Sequence, residues 1–299
     1  MGDVAWIAVD WGTSHVRAWL MGADGAIVDR RHSDDGMGTL TKTGFEPALQ
    51  KLCGDVLPLP VLACGMVGSR QGWAEAPYAS VPCAPPGAAA ATIAPTTLQG
   101  LSVRILPGVK QTRPADVMRG EETQIAGYLA TNPGFDGVIC LPGTHTKWAH
   151  ISAGEIVSFR TAMTGEIFAL LSGHSVLRHS MGDGWDDAAF AAGVDQAISR
   201  PEGLAASFFS LRAEGLLNDL DPNAARARLS GLLIGAELAS MRPYWLGQQV
   251  AMIGAQSLAG AYATALATQG VPVVQTPSAE AMTLAGLTAA YTQIYGEAV

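Results

Sequence analysis

Val4-Ala5-Trp6-Ile7-Ala8-Val9-Asp10-Trp11-Gly12-Thr13-Ser14-His15-Val16-Arg17-Ala18-Trp19-Leu20 reads as an apolar strand, a tight polar turn and a second strand. Residues 4–9 carry the Val, Ile and Trp of a buried strand, and Gly12-Thr13-Ser14 can fold the chain back on itself. Asp10 then stands at the lip of the turn. Gly12 brings the backbone close to a ligand, and Thr13 and Ser14 add hydroxyls to amides that can face an anion. A carboxylate for a metal beside a small-residue turn for phosphate is the outline of a nucleotide site. The same acid–Gly–Thr turn also serves simply to close a hairpin, so the decision rests on the rest of the chain.

The decisive feature is that the pattern recurs. Asp24-Gly25 turns the first hairpin into a third strand through Ala26-Ile27-Val28, predicting three antiparallel strands. After the break Thr131-Asn132-Pro133-Gly134, Gly137 to Leu141 reads as a strand, Pro142-Gly143-Thr144-His145-Thr146 as a turn, and Lys147 to Ile151 as a strand. Ala153-Gly154-Glu155 then turns into Ile156 to Phe159. This predicts a duplicated domain, with residues 1–134 as the first copy and 135–299 as the second. Two Gly-Thr turns across a cleft would grip a polyphosphate from both sides.

Outward from the hairpins, Phe45 to Cys53 has helical spacing and Val61 to Cys64 is a short buried strand. Gly65-Met66-Val67-Gly68-Ser69-Arg70-Gln71-Gly72-Trp73 follows at its carboxyl end, where open α/β sheets bind ligands. This loop is expected to meet substrate, with Arg70 as an anion contact. Residues 79–100 read as an irregular connection and Leu101 to Val109 as one strand. Glu121 and Glu122 open a helix after Arg119-Gly120. The helix dipole alone favours such acids, and the loop before them suits a ligand site.

Thr164 is expected to cap a helix, and Glu166 stands in its first turn, as either an ordinary acid or a ligand contact. Asp186 to Ser240 reads as helices broken at Arg200-Pro201 and Asp221-Pro222. Val250 to Ile253 is a strand, and the small residues from Gly254 onward let a flat adenosine lie against backbone or let helices pack closely. A helix over 261–268, a strand over 271–274 and a helix from Glu280 to Tyr295 complete the reading.

Composition narrows the function classes. With 48% apolar and 15% charged residues and a net charge of −8, the chain is a folded protein for which nucleic acid and anionic membranes are not expected partners. No basic n-region precedes the first strand and no uncharged run reaches the length of a membrane span. Cys53, Cys64, Cys83 and Cys140 show no metal-ligand spacing, and the expected setting is a reducing cytoplasm without structural metal.

Asp10-Trp11-Gly12-Thr13-Ser14, Leu141 to Trp148 and Ile253-Gly254-Ala255 resemble, in order, the phosphate 1, phosphate 2 and adenosine motifs of the actin, hexokinase and Hsp70 superfamily. Asp116 to Gln124, Leu141 to Trp148 and the 65–73 loop are further similar to the 2-dehydro-3-deoxygalactonokinase family. The resemblance implies two ribonuclease H-like domains of α/β class flanking a nucleotide and substrate cleft. It also implies ATP-dependent phosphorylation of the 6-hydroxyl of 2-dehydro-3-deoxy-D-galactonate in galactonate catabolism. Asp10 would hold Mg²⁺, with Gly12, Thr13, Ser14, Gly143, Thr144, His145, Thr146, Lys147 and Gly254 on ATP. Glu121 or Glu122 would be the base. Arg17, Gly65, Met66, Ser69, Arg70, Gln71 and Arg119 would form the sugar-acid site, with arginine matching the substrate carboxylate. A homodimer is compatible with this reading. Two rival readings share the nucleotide motifs: a kinase of another small sugar or 2-keto-3-deoxy acid, and a non-catalytic ATP- or sugar-sensing protein.

Overall fold

A computed structural model describes residues 3–275 and 278–296. β1 (Val4–Trp11), β2 (Val16–Gly22) and β3 (Ile27–Ser33) form the expected antiparallel meander, with Asp10 opposite Arg17. After α1 (Phe45–Cys53), β4 (Pro60–Gly65) runs parallel to β1 and sets Cys64 beside Asp10. β5 (Tyr78–Ser80), β6 (Thr92–Ile93) and β7 (Ser102–Ile105) follow. The sheet order is β3-β2-β1-β4-β7-β6.

The single strand expected over 101–109 is in fact two. Leu106-Pro107 interrupts it, since proline cannot donate to a ladder. β7 stays in the large sheet, while β8 (Gly108–Thr112) joins β5 and β9 (Ala115–Met118) in a separate three-stranded sheet. α2 (Glu121–Thr131) then begins at the paired glutamates.

Strand alternation decides what the large sheet buries. Ile7, Val9 and Trp11 pack with Phe45, Leu49, Val103 and Ile105 on one face. Trp6 and Ala8 pack with Trp19, Met21, Leu62, Leu287 and Ala290 on the other. Because helices cover both faces, β1 reads as a continuous apolar run that ends only at Asp10.

The second copy opens with β10 (Gly137–Leu141), β11 (Thr146–Ser152) and β12 (Glu155–Ala162). Five helices follow: α3 (Thr164–His174), α4 (Asp187–Ser199), α5 (Leu204–Leu217), α6 (Pro222–Ser240) and α7 (Arg242–Trp245). Glycines let α4 and α6 meet backbone to backbone: a Cβ on Gly231 would lie 2.2 Å from Phe190 O. β13 (Val250–Met252), α8 (Gln256–Thr268) and β14 (Val273–Gln275) complete a sheet of order β12-β11-β10-β13-β14. The first three strands of each copy thus hold the same places in their sheets, and a parallel strand follows on the far side of β1 and of β10.

The chain divides into two compact units, and the division differs from a cut at residue 134. The first unit runs to Asp136 but also takes Ile151–Ser158 and the closing helix α9 (Ala279–Tyr295); the second holds Gly137–His150 and the chain from Phe159 through β14. α9 belongs to the first unit because it packs on α2 at glycines: a Cβ on Gly127 would lie 2.0 Å from Met282 O, and one on Gly286 2.0 Å from Thr123 O. Trp6 stacks on Tyr291 at 4.1 Å. The 151–158 hairpin tip pairs its Ile156 with Cys83. No described helix is long and apolar enough to cross a membrane, and the four cysteines are free.

Candidate functional site

In the first unit the β1–β2 turn is held from the side. Met37 N donates to Gly12 O at 3.0 Å and Gly38 N to Thr13 O at 2.8 Å, while Gly12 N closes the turn on His15 O at 2.9 Å. Gly36 must be glycine here, since a Cβ would come within 2.5 Å of three backbone atoms of the turn. The Gly12 amide is therefore spent inside the turn. Thr13 and Ser14 are the exposed residues whose amides and hydroxyls remain for a ligand.

Asp10 lies at the root of this turn and accepts from Arg17 Nη2 at 2.5 Å through Oδ2. Burial pushes its carboxyl above the ordinary value against the pull of Arg17. Its other oxygen, Oδ1, faces Gly65, where an added Cβ would lie 3.4 Å away. Arg17 is thus engaged by Asp10 across the strands, with its side chain 45% exposed.

The start of α2 stands against the same glycine: a Cβ on Gly120 would lie 3.5 Å from Gly65 Cα. Gly120 has φ 107°, a conformation that β-carbon residues rarely adopt, and it turns the chain sharply into the helix. The structure separates the two glutamates. Glu122 is 1% exposed, with both carboxylate oxygens on Gly120 N at 2.8 and 2.7 Å and Oε1 on Thr123 Oγ1 at 3.2 Å. Burial first, and then the neighbouring charge of Glu121, push its pKa up to about 7. Glu121 is only half-buried and accepts from Arg119 N at 3.0 Å.

The 65–73 loop is ordered by its own bonds, with Trp73 N on Val67 O and Ala76 N on Gly68 O, both at 2.9 Å. Arg70 points outward, 82% exposed, with Glu75 at 3.5 Å, and Gln71 is exposed as well. Met66 is half-buried. Arg119 takes the inner position. Its guanidinium lies over the Tyr78 ring at 4.3 Å, donates to Ala76 O at 2.8 Å, and fills the space a Cβ on Gly68 would need. Arg119 Nε and Nη1 and Ser69 Oγ are buried without a partner. Unsatisfied buried donors beside a ligand loop mark a place for an acceptor.

In the second unit the β10–β11 turn rests on the start of α3. Glu166 N donates to Thr144 O at 3.0 Å, and Gly165 leaves no room for a side chain, with a Cβ 2.3 Å from Gly143 O. Thr144 and His145 are exposed, and His145 Nε2 meets Glu166 Oε2 at 2.6 Å. Thr146 and Lys147, expected on ATP, are instead buried at 0% and 5%. The Thr146 hydroxyl is bonded to Tyr262 OH at 3.0 Å. Thr164 does not cap α3 either: Met163 is the capping position, and the Thr164 hydroxyl turns to Glu237.

Beside this turn opens a cavity of about 790 Å³, lined by Gly143, Thr144, Thr164 and Gly165, by Arg226, Ser230 and Leu233 of α6, and by Ser257, Leu258 and Ala261 of α8. Trp185 and Phe168 add aromatic wall, and Arg226 lies over the Phe168 ring at 5.1 Å. The volume, the mixed walls, the arginine and the amino end of α3 suit an anionic ligand with a flat apolar part. Gly254 sits just behind, where a Cβ would be 3.3 Å from Pro142 O. It sets the approach of strand and turn, and α8 one turn later provides the wall. Among the described residues no three His, Cys, Asp or Glu side chains cluster to hold a metal.

Comparison with known proteins decides the family. A family model described as 2-keto-3-deoxy-galactonokinase matches residues 10–290. The chain belongs to the 2-keto-3-deoxy-galactonokinase family. A Rhizobium meliloti relative named as a probable 2-dehydro-3-deoxygalactonokinase is 41% identical, covering 96% of this chain and 97% of its own. The Escherichia coli 2-dehydro-3-deoxygalactonokinase is 36% identical over 90% and 91%. The solved structure of a Sinorhizobium meliloti protein described as a candidate 2-dehydro-3-deoxygalactonokinase superposes with TM-score 0.91 at 39% identity, covering 97% of this chain and 99% of that one. Component A of the Acidaminococcus fermentans (R)-2-hydroxyglutaryl-CoA dehydratase shares the fold alone, with TM-score 0.55 at 15% identity over 97% and 98%.

For this chain of the 2-keto-3-deoxy-galactonokinase family, the cavity residues Trp185, Arg226 and Phe168 escaped sequence reading. Gly182-Asp183-Gly184-Trp185 had a legible signal, since two glycines around an acid just before a helix cap mark a built loop. Gly184 N is pinned on Asn223 Oδ1 at 2.8 Å. Arg226 had none, because it stands two residues from Arg228 among the alanines of α6, and both look like ordinary solvated positions.

Proposed function

We propose that this chain is an ATP-dependent kinase that phosphorylates the 6-hydroxyl of 2-dehydro-3-deoxy-D-galactonate, built on two ribonuclease H-like units of the actin and hexokinase type. The observation that carries the reading is the family match, which runs through both Gly-Thr turns and the Arg119–Glu122 segment, together with the shared name of the relatives.

Each group then has a task. Adenosine lies in the 790 Å³ cavity of the second unit. Thr13, Ser14, Gly143, Thr144 and His145 are assigned to the phosphates, where charge must be neutralised for transfer. Asp10, paired with Arg17 through Oδ2 and with Oδ1 turned to Gly65, would be the residue to hold Mg²⁺, through a water the ion keeps. That ion would supply charge neutralisation. Arg119 and Ser69, with buried donors in want of an acceptor, receive the substrate carboxylate.

Glu121 is assigned the proton of the attacking hydroxyl. It is the half-buried member of the pair, whereas Glu122 has its carboxylate wholly on its own helix start. Glu121→Gln should lower kcat on the order of 10²–10⁴-fold with the KM for ATP retained. Full activity in that variant would remove the assignment.

The decisive assay is coupled ADP release over a panel of 2-keto-3-deoxy sugar acids and plain hexoses. Release with 2-dehydro-3-deoxy-D-galactonate supports the proposal. Release with hexoses alone overturns the substrate, and nucleotide binding without release on any acceptor points to a sensor.

A further inference from the structure

Glu237 of α6 is 4% exposed and has no part in the steps above. Side chains from three other elements converge on it. Trp148 Nε1 of β11 donates to Oε1 at 2.7 Å, Tyr262 OH of α8 donates to Oε2 at 2.7 Å, and the Thr164 hydroxyl at the start of α3 donates to Oε2 as well. Tyr262, its proton committed to Glu237, accepts from Thr146 Oγ1 at 3.0 Å. The chain of bonds therefore runs Thr146 to Tyr262 to Glu237. An ionised carboxylate is acceptor-only, which matches three donors pointed at it.

Sealing a carboxylate in a core is unfavourable unless every lone pair is matched, and apolar residues of similar size would fill the space more cheaply. What the network holds explains its presence. Thr164 and Tyr262 both line the 790 Å³ cavity. Thr146 ends the Gly143–Thr146 turn, and Gly165, next after Thr164, carries that turn on its backbone. One buried side chain thus ties together the turn, the amino end of α3 and the α8 wall.

We propose that Glu237 is a positioning residue for the nucleotide: it sets these three elements at the spacing that receives the adenosine and phosphates, without touching the ligand. The proposal rests on reading the cavity as the ATP site. It predicts an effect on ATP and not on the sugar acid, whose assigned groups are all in the first unit. Thr146→Val and Tyr262→Phe each break the same chain of bonds at a different link while keeping shape. Each should raise the KM for ATP roughly tenfold, with the KM for the sugar acid within about twofold, and the double variant should be no worse than either single. Thr146→Ser, which keeps the hydroxyl, should restore the wild-type KM. Glu237→Leu should raise the KM for ATP furthest.

The test is steady-state kinetics on both substrates, with ATP binding by calorimetry and thermal melting of each full-length variant. If the wild-type protein binds no ATP, the reading of the cavity and this inference fall together. If it binds ATP and the variants melt earlier with unchanged KM for ATP, the network is structural and only the inference is overturned. Should Glu237→Leu not fold, Tyr262→Phe and Thr146→Val still decide, because each removes or replaces a single hydroxyl.

Discussion

The two Gly-Thr turns can be laid over one another residue by residue: Asp10 on Leu141, Trp11 on Pro142, Gly12 on Gly143, Thr13 on Thr144 and Arg17 on Trp148. Under the first turn, Asp10 and Arg17 form an ion pair, with the arginine side chain 45% exposed. Under the second, the matching Leu141 and Trp148 are buried, and Glu237 lies sealed among donors. The two turns share a backbone shape, while the matched root positions carry an ion pair in one and apolar side chains in the other. A shape built to present amides works with either a charged or an apolar root, so the root is free to specialise.

The largest expected effect breaks this comparison at the root. Asp10→Asn should reduce kcat/KM by roughly 10²–10³-fold, since the carboxylate assigned to the Mg²⁺ that would neutralise phosphoryl charge is lost, while the protein stays folded. Leu141→Ala, at the matching position, should instead lower stability by about 2–5 kcal/mol through a core cavity. Melting curves beside initial rates separate the two. Equal damage to rate and stability at both positions would mean that the roots have not diverged.

Next in size is a pH effect from Glu122, the buried carboxylate at the start of α2. The Glu122 pKa lies near 7 in the folded state, above the ordinary 4.5, so the folded protein binds the extra proton between those values. Stability contributed by that proton is present at low pH and is lost as pH rises towards 7, by about 3 kcal/mol at 1.36 kcal/mol per unit. Glu122→Gln should flatten the slope of stability against pH between about 5 and 7, as read by denaturant midpoints. An unchanged slope would show that Glu122 is ionised throughout.

The smallest effects sharpen how each turn is held. Gly36→Ala and Gly165→Ala each drive a Cβ into the backbone of one turn, at 2.2 Å and 2.3 Å, and each should cost about 1–3 kcal/mol of stability. Gly165→Ala should also raise the KM for ATP, because the cavity is lined by that residue. A rise of the same kind is expected from Gly36→Ala through Thr13 and Ser14. If only one of them moves the KM, the nucleotide leans on that unit's turn.

Much of this architecture was legible because the signals were local and repeated. The β1–β3 and β10–β12 meanders follow from strand alternation and Asp-Gly or Ala-Gly turns, and the helix breaks at Pro201 and Pro222 from proline chemistry. Candidate site residues could be named from sequence where a motif put them on a turn, as with Asp10 and Thr144. Their surroundings were not legible where partners come from far along the chain. Arg17, Arg70 and Arg119 look alike in sequence, and only the structure shows one paired, one exposed and one buried with free donors. Thr146 lies in the phosphate 2 motif, which implies a place on ATP, yet the strand alternation beginning there turns it inward to Tyr262, 116 residues away. The placement of α9 depended on glycines in two helices more than 150 residues apart, Gly127 and Gly286, which no local pattern joins.

That last feature bears on how the polypeptide is made. Because α9 supplies Leu287 and Ala290 to one face of the first sheet, everything between Gly137 and β14 leaves the ribosome before that face is fully covered. Trp6, Ala8 and Trp19 meet Ala88 and Leu106 early in synthesis but gain their α9 contacts only after the second unit has been made. An expression fragment cut at residue 134 would carry both the Gly12 turn and Glu121 and still expose the part of that apolar face that Leu287 and Ala290 cover. A circular permutant that begins at α9 and continues into β1 would put the cover in place first.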